Sequence, residues 1–568
     1  MTGLGEYGAT VGQGNKGEVS YTDEGLVGSN RITGKLLVKG AALLGVAAVI
    51  SKLLGTLQKI PLQNVAGDGA YGIYTVVYPF YILILFLATA GFPVAVSAFV
   101  SQRLAEGDQR GAERVLRVAA VLLTVSGFAG FALLFLGADT IAAWIGNIET
   151  APALRSVSYA LLFVPVMAAL RGYFQGGHDM APTAVSQVVE QFVRVGTMIL
   201  VLVLFTVRHM EDRYVAAGAT FGAVTGACAG MAVMLAYWFR HKRRLRSAQR
   251  ASTESPGEPY VRLAGRLLRF AIPVCLGAIA VPVMSIVDTF TLPRLLGDPA
   301  MTDAEVMAVY GVYARGLPLV QMVAMLVSAI AVALVPAIAE ARVHSDLRAV
   351  RQRTELSMRL TWIVGTAASV GLAVTAWPVN WMLYTDGQGT SAMVILAFTA
   401  VFSTLNITTA SVLQGMNAPV WPAVHLLIAA ALKLALNVVL TPAMGMNGAA
   451  LAGVLAFAFA ALLNVIVIVR TTGVTLSVSH YVWRTGAALL LMAGATAIWT
   501  IGAISLLELV VDSERIRYTV TAVSAIVLGV VIYMAAILRL RAISAAEFGL
   551  LPGGKKLLPL VHKLRLMR

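Results

Sequence analysis

The chain runs to 568 residues, of which 58% are hydrophobic and 12% charged, with a mean hydropathy of +0.80 and a formal net charge of +15. That much apolar surface cannot be hidden inside a water-soluble globule, which excludes a soluble enzyme or binding module and makes the chain an integral membrane protein. A closed β-barrel is excluded as well, because its strands would be shorter and would alternate in polarity.

Residues 1–34 are polar and Gly-rich, with no apolar core segment and no cleavage site, and read as a disordered cytoplasmic tail instead of a signal peptide. About fourteen apolar runs follow, each near the roughly 20 residues needed to cross ~30 Å of hydrocarbon. They lie near 37–60, 73–99, 115–137, 153–174, 184–206, 215–239, 266–292, 306–338, 357–377, 390–412, 421–441, 447–469, 483–507 and 518–538. Gly and Pro inside these runs do not oppose helix, since membrane helices tolerate both. Cys228 and Cys275 both fall within apolar runs and read as small core residues.

Arginine and lysine fix the expected topology. They crowd the connections around Arg103–Arg117, Arg240–Arg250 and Arg342–Arg353 and the tail after Arg539, while the alternate connections hold only scattered cations mixed with acids. This positive-inside pattern predicts a multi-pass membrane protein with both termini cytoplasmic. It also assigns the net positive charge to orientation and contact with membrane lipids, so nucleic acid is not an expected partner.

The sequence repeats itself. Tyr71-Gly72-Ile73-Tyr74 returns as Tyr310-Gly311-Val312-Tyr313, and Gln175-Gly176 with Ala181-Pro182 returns as Gln414-Gly415 with Ala418-Pro419, in both cases 239 residues on (310 less 71). The expected fold is therefore an all-α polytopic membrane protein of about fourteen transmembrane helices. It comprises an N-terminal six-helix bundle (35–240), a basic cytoplasmic loop (241–265), a C-terminal six-helix bundle (266–470), two additional transmembrane helices (471–545) and a basic cytoplasmic tail (546–568). Six crossings is an even number, so the repeats are parallel, and paired parallel bundles suit alternating access around a site at their interface.

Charges inside apolar runs persist mainly where a cavity or a partner relieves them. Lys52 and Lys59 stand two turns apart on one face of the first helix, and Arg315 lies inside the eighth beside Pro318. Asp288 in the seventh helix offers a counter-ion to Arg315, a cation site or a purely structural pairing. Arg194 and Lys433 hold matching places in the two halves, and Glu190 is one turn before Arg194, placed to neutralise it. The sequence offers no phosphate-binding loop, no catalytic residue, no metal-ligand cluster and no large extramembrane domain.

The stretch from Ala169-Leu170-Arg171-Gly172-Tyr173-Phe174-Gln175-Gly176 through Ala181-Pro182 to Glu190-Gln191 closely resembles the MurJ/SpoVB-like group of lipid II and polysaccharide flippases. That group is the Gram-positive branch within the multidrug/oligosaccharidyl-lipid/polysaccharide (MOP) superfamily. Ala90-Gly91-Phe92-Pro93-Val94-Ala95-Val96-Ser97, Lys433-Leu434-Ala435-Leu436-Asn437 and Asn447-Gly448-Ala449-Ala450 extend the resemblance over roughly residues 35–545. It implies a central cationic cavity between two bundles and a groove near the last two helices for a polyprenyl tail. Ser51-Lys52-Leu53-Leu54-Gly55 resembles the group's first-helix basic motif and Arg315 its eighth-helix arginine.

The resemblance implies a flippase that moves a polyprenyl-pyrophosphate-linked saccharide, lipid II foremost, to the outer leaflet. The expected pyrophosphate ligands are Lys52, Arg315 and Lys59, with Arg171, Gln175, Glu190, Arg194, Gln414, Lys433 and Asn437 as structural or gating residues. No cofactor is expected, membrane potential or an ion gradient is the expected drive, and cell-wall synthesis machinery is an expected partner. The alternatives are export of a capsule, teichoic acid or spore-cortex precursor, a MATE-like drug/cation antiporter, and a polytopic glycosyltransferase.

Overall fold

The computed structural model describes residues 24–89, 91–248, 258–474 and 478–543. Residues 1–23 of the expected N-terminal tail, the middle of the basic loop and the C-terminal tail 546–568 lie outside the described residues. In hydrocarbon every backbone N–H must bond within its own segment, so each apolar run becomes helix. The first half comprises α1 (Glu24–Leu57), α2 (Lys59–Thr89), α3 (Phe92–Ala105), α4 (Gln109–Leu136), α5 (Ala138–Ile145), α6 (Ala151–Ser158), α7 (Val164–Gly176), α8 (Ala181–Val207) and α9 (Asp212–Ala248). The second repeats that order as α10 (Tyr260–Leu296), α11 (Asp303–Ala314), α12 (Leu317–Val343), α13 (Leu347–Val374), α14 (Ala376–Tyr384), α15 (Thr390–Ala397), α16 (Thr399–Gly415), α17 (Val420–Met444) and α18 (Met446–Thr472). Two added helices follow, α19 (Val478–Glu508) and α20 (Glu514–Arg539).

Twelve of these stretches have the length and hydropathy to cross a membrane. The first, Ala42–Ala105, has 64 residues, or about 96 Å of helix, enough for two crossings of ~30 Å. It breaks at Gly67, whose φ of 80° is closed to most side chains. With the 37-residue α10, which is not among the twelve, the architecture is compatible with the fourteen expected crossings.

Two boundaries differ from expectation. The segment 24–34, expected to be disordered, is the start of α1, and the basic loop 241–265 narrows because α9 runs to Ala248 and α10 starts at Tyr260. Both shifts have one cause: once a membrane helix is nucleated, each further residue adds a hydrogen bond at little cost, so the helix propagates into polar sequence.

Several crossings are jointed. Pro93, Pro165 and Pro318 stand in the first turn of α3, α7 and α12, where a missing N–H is harmless to the new helix but leaves a carbonyl of the preceding one unserved. The joint between α11 and α12 falls at Arg315-Gly316, and its freed carbonyls become important below.

The halves meet most broadly at one end, and elsewhere mainly through α10 and α1. The connections 106–108 and 344–346, flanked by Arg103 and Arg110 and by Arg342 and Arg348, mark a basic end together with 177–180; the opposite, far end carries α5, α14 and the connections 208–211, 297–302 and 385–389. At the far end one hydrophobic core joins both halves, with Tyr71, Tyr74 and Val77 of α2 packed among Tyr310 and Tyr313 of α11. Toward the basic end the cores separate. Leu334, Ile338, Val412 and Leu413 pack within the second half, while α3 seats on α4 and α7 with the start of α10. α3 and α12, the continuations of α2 and α11, thus turn to different partners, and α1 lies between the halves on α8 and α12.

The repeated Tyr-Gly motif explains the closure. A methyl group on Gly72 would collide with the Met307 carbonyl oxygen, and one on Gly311 would collide with the Asp68 carbonyl oxygen. Asp68 and Met307 are themselves 239 residues apart (307 less 68), so the contact is reciprocal about the pseudo-twofold axis. Only glycine at both positions lets α2 and α11 cross backbone to backbone.

Gly311→Ala should therefore lower the stability of the purified protein by about 1–3 kcal/mol. Gly45→Ala, which has no atom within 4 Å, should be close to neutral. Thermal unfolding of the two variants side by side checks this.

Candidate functional site: a charged latch and two buried cationic centres

The α11–α12 joint leaves the carbonyls of Ala314 and Arg315 without helical donors, and two tyrosines supply them. Tyr71 of the first half donates its hydroxyl to the Ala314 oxygen at 3.1 Å, and Tyr384 of α14 donates to the Arg315 oxygen at 2.9 Å. The Arg315 side chain, 0% exposed, is thereby aimed into the far-end interface. Its Nε and Nη2 donate to both carboxylate oxygens of Asp68 (2.8 and 2.5 Å), and its Nη1 and Nη2 donate to those of Asp386 (2.5 and 3.0 Å). The guanidinium also lies 5.4 Å from the centre of the Tyr384 ring.

Planar forks of this kind match a carboxylate bidentately, and here one arginine serves two. Asp68 belongs to the first half, whereas Arg315 and Asp386 belong to the second, so the triad ties the halves together. Asp386 lies in the 385–389 connection: burial raises its pKa, but the hydrogen bonds from Arg315 and the Gln388 N–H and the Arg315 charge outweigh burial and hold it below the usual carboxylate range. Further ties surround the triad. Asn64 donates to the Leu383 oxygen (2.5 Å), Asn147 to the Asp303 oxygen (2.7 Å) and Arg294 to the Ala143 oxygen (3.0 Å), each crossing between halves.

Asp288 is not the counter-ion of Arg315. It accepts from Lys433 Nζ at 2.7 Å and from Asn437 Nδ2 at 3.1 Å, joining α10 to α17 inside the second half. Lys433 also donates to the Met284 oxygen (3.1 Å), and Asn437 to Thr291 Oγ1 (2.8 Å). All three side chains are buried, and the ammonium stands where a bound cation would have to stand. The geometry is a closed structural pair.

In the first half, Glu190 of α8 accepts from Arg171 of α7 (2.8 Å) and from Arg194 one turn along (3.4 Å). Arg171 Nε also donates to Ser186 Oγ at 2.9 Å, which fixes α7 to α8. Gln175 is half-buried and Gln414 exposed; the glycines beside them, Gly176 and Gly415, give the repeat its structural sense by seating α7 on α3 and α16 on α12. Lys52 is exposed on α1, with no hydrogen bond or ion pair among the described residues. Lys59, half-buried at the turn into α2, has none either, and its neighbour Ile60 packs with Tyr384 at the far end. The expected cavity cations therefore do not converge on one open site here: Lys52 is free, Lys59 flanks the latch and Arg315 is sealed within it.

Asp68 and Asp386 were not among the residues expected to matter. Both lie outside the expected apolar runs in which a buried charge attracts notice, Asp68 beside the Gly67 break of α2 and Asp386 in the 385–389 connection. One signal was available: Asp386 falls 239 residues after Asn147 (386 less 147), and both residues sit just past a short far-end helix, Asn147 bonding across to Asp303 of the other half and Asp386 to Arg315 of its own.

The fold and these sites define a multi-pass helical membrane protein of two pseudo-symmetric bundles latched together at the far end. The chain belongs to the polysaccharide biosynthesis protein family, whose model matches residues 37–342. It is 32% identical over 527 residues to the uncharacterized membrane protein YabM of Bacillus subtilis, covering 91% of this chain and 95% of that one. It is 29% identical over 455 residues to the lipid II flippase MurJ of the same organism, covering 77% and 83%, and 25% identical to its stage V sporulation protein B. Among solved structures, an inward closed conformation of the lipid II flippase MurJ matches with a TM-score of 0.62 at 12% identity over 87% of this chain and 98% of that one. An inward-facing MATE family transporter matches at 0.60 with 15% identity, covering 74% and 94%. These two likenesses establish the shared fold.

Removing the carboxylate in Asp288→Ala strands a buried ammonium and should cost about 3–5 kcal/mol. The double change Asp288→Leu with Lys433→Met should recover most of that loss, read as the thermal midpoint of each variant.

Proposed function

We propose that this protein is a flippase that carries a polyprenyl-pyrophosphate-linked saccharide, with lipid II as its cargo, from the inner to the outer leaflet by alternating access. The observation that carries the reading is the far-end closure: the halves are latched through Arg315, Asp68 and Asp386 there while α3 and α12 turn to different partners toward the basic end. The positive-inside rule orients the basic end to the cytoplasm, so the state described here is closed to the outside. The 29% identity to a lipid II flippase over 77% of the chain supports the choice of cargo.

A pyrophosphate head cannot enter hydrocarbon unless cations in a wet cleft replace its hydration. Lys52, exposed on the helix between the halves, is the unneutralised cation placed to do so. Arg315 becomes available only when the far end opens and Asp68 parts from it, and Lys59 is placed to join it there. A membrane potential negative inside favours outward movement of the anionic head by about 2.3 kcal/mol per charge per 100 mV. The protein then acts as a secondary transporter in the cytoplasmic membrane and needs no cofactor.

A second reading keeps the mechanism and changes the glycan. Identity to the uncharacterized YabM (32%) exceeds that to MurJ (29%), so another polyprenyl-linked precursor stands beside lipid II as the alternative cargo.

The test is transport of labelled lipid II by the purified protein in liposomes, with Lys52→Ala beside it. Loss of one charge-assisted contact of about 1.5–3 kcal/mol should weaken apparent substrate affinity roughly 10- to 100-fold. Wild-type rates in Lys52→Ala would remove that residue from the site. An inert wild-type protein that does move another lipid-linked glycan would select the second reading.

A further inference from the structure

The same register position carries a buried cation in both halves, Arg194 in α8 and Lys433 in α17 (433 less 194 is 239), but only one is fully neutralised. Lys433 has Asp288 of α10 to itself, held in place by Asn437. Arg194 receives no carboxylate from α1, the counterpart of α10; it shares Glu190 with Arg171, and among the described residues no second carboxylate bonds either arginine. The cluster therefore carries one excess positive charge, although the side chains of Arg171, Glu190 and Arg194 are only 13–15% exposed.

Beside this charge lies a small cavity lined by Gln58, Tyr74, Tyr78, Arg194, Met198 and Thr220. Met198 holds the register of Asn437 (437 less 198 is 239), so the space opens where the second half places the partner of its carboxylate. Two polar atoms of its lining are buried without partners, Arg194 Nε and Gln58 Oε1, and Gln191 Nε2 is a third on the same face of α8 as Arg194. Gln58 is only 4% exposed.

An uncompensated charge in a membrane bundle is costly, and a small ion removes that cost. The cavity is of about the size of one water, which a monatomic halide exceeds by a few tenths of an ångström in radius and a phosphate or pyrophosphate head exceeds severalfold in volume.

We propose that this cavity binds one monovalent inorganic anion, a halide, which completes the charge of the Arg171–Glu190–Arg194 cluster and ties the end of α1 to α8. Arg194 Nε donates to the ion. The Gln58 amide, whose Nε2 stands 3.1 Å from the Tyr74 hydroxyl, turns over so that Tyr74 donates to Oε1 and Nε2 becomes a second donor to the ion. The site does not depend on which glycan the protein carries.

The experiment uses the full-length protein in detergent, with thermal midpoints measured at constant ionic strength in gluconate, chloride and bromide, and anomalous diffraction from crystals grown in bromide. The expected result is a saturable rise of the midpoint with chloride or bromide and a bromide peak within hydrogen-bonding distance of Arg194 Nε. Gln58→Glu places a fixed carboxylate in the cavity and should fold without halide dependence. Equal wild-type midpoints in gluconate and chloride with only water in the cavity would overturn the proposal, as would an undiminished halide response in Gln58→Glu. If that variant does not fold, the wild-type bromide peak alone decides.

Discussion

A fully buried guanidinium is the constraint on which the far end of this molecule depends. Arg315 can be withdrawn from water only because two carboxylates converge on it and because Tyr71 and Tyr384 take up the carbonyls that the α11–α12 joint sets free. Desolvation offsets much of the Coulomb energy of such a cluster, so it gives geometry and specificity more than net stability. That balance suits a latch. When the halves part, all three charges regain water, and the open and closed states can lie within a few kcal/mol of each other.

The latch is asymmetric on a symmetric frame. Gly72 and Gly311 make the same contact in both directions across the pseudo-twofold axis, yet the register position of Arg315 in the first half is Val76 (315 less 76 is 239). The buried cations at Arg194 and Lys433 show the same divergence, one sharing its carboxylate and the other holding a private one. Duplication supplied the scaffold, and independent substitution of charges in each copy supplied the working parts.

Much of this was legible in the sequence. Apolar runs of membrane-spanning length gave the helices, and the 239-residue repeat gave two parallel bundles, because both follow from local composition and register. The helix joints were not legible as joints: Pro318 is tolerated in a membrane helix, and that it ends α11 at Arg315 depends on Tyr71 and Tyr384 arriving from elsewhere. Charge pairing was legible only locally. Glu190 with Arg194 is a one-turn contact and could be read, whereas the partners of Arg315 lie 247 and 71 residues away, outside the apolar runs. Asp288 was recognised as needing a partner, but Lys433, 145 residues on, could not be chosen over Arg315 without the packing of α10 against α17.

The central claim is that the far end must open in each transport cycle. A disulfide across it, from cysteines placed at Asn64 and Leu383, where side chain and backbone of the two halves already touch, tests that claim directly in liposomes. The account predicts that oxidation abolishes transport of lipid-linked saccharide and that reduction restores it. Undiminished transport with the cross-link fully formed would contradict it.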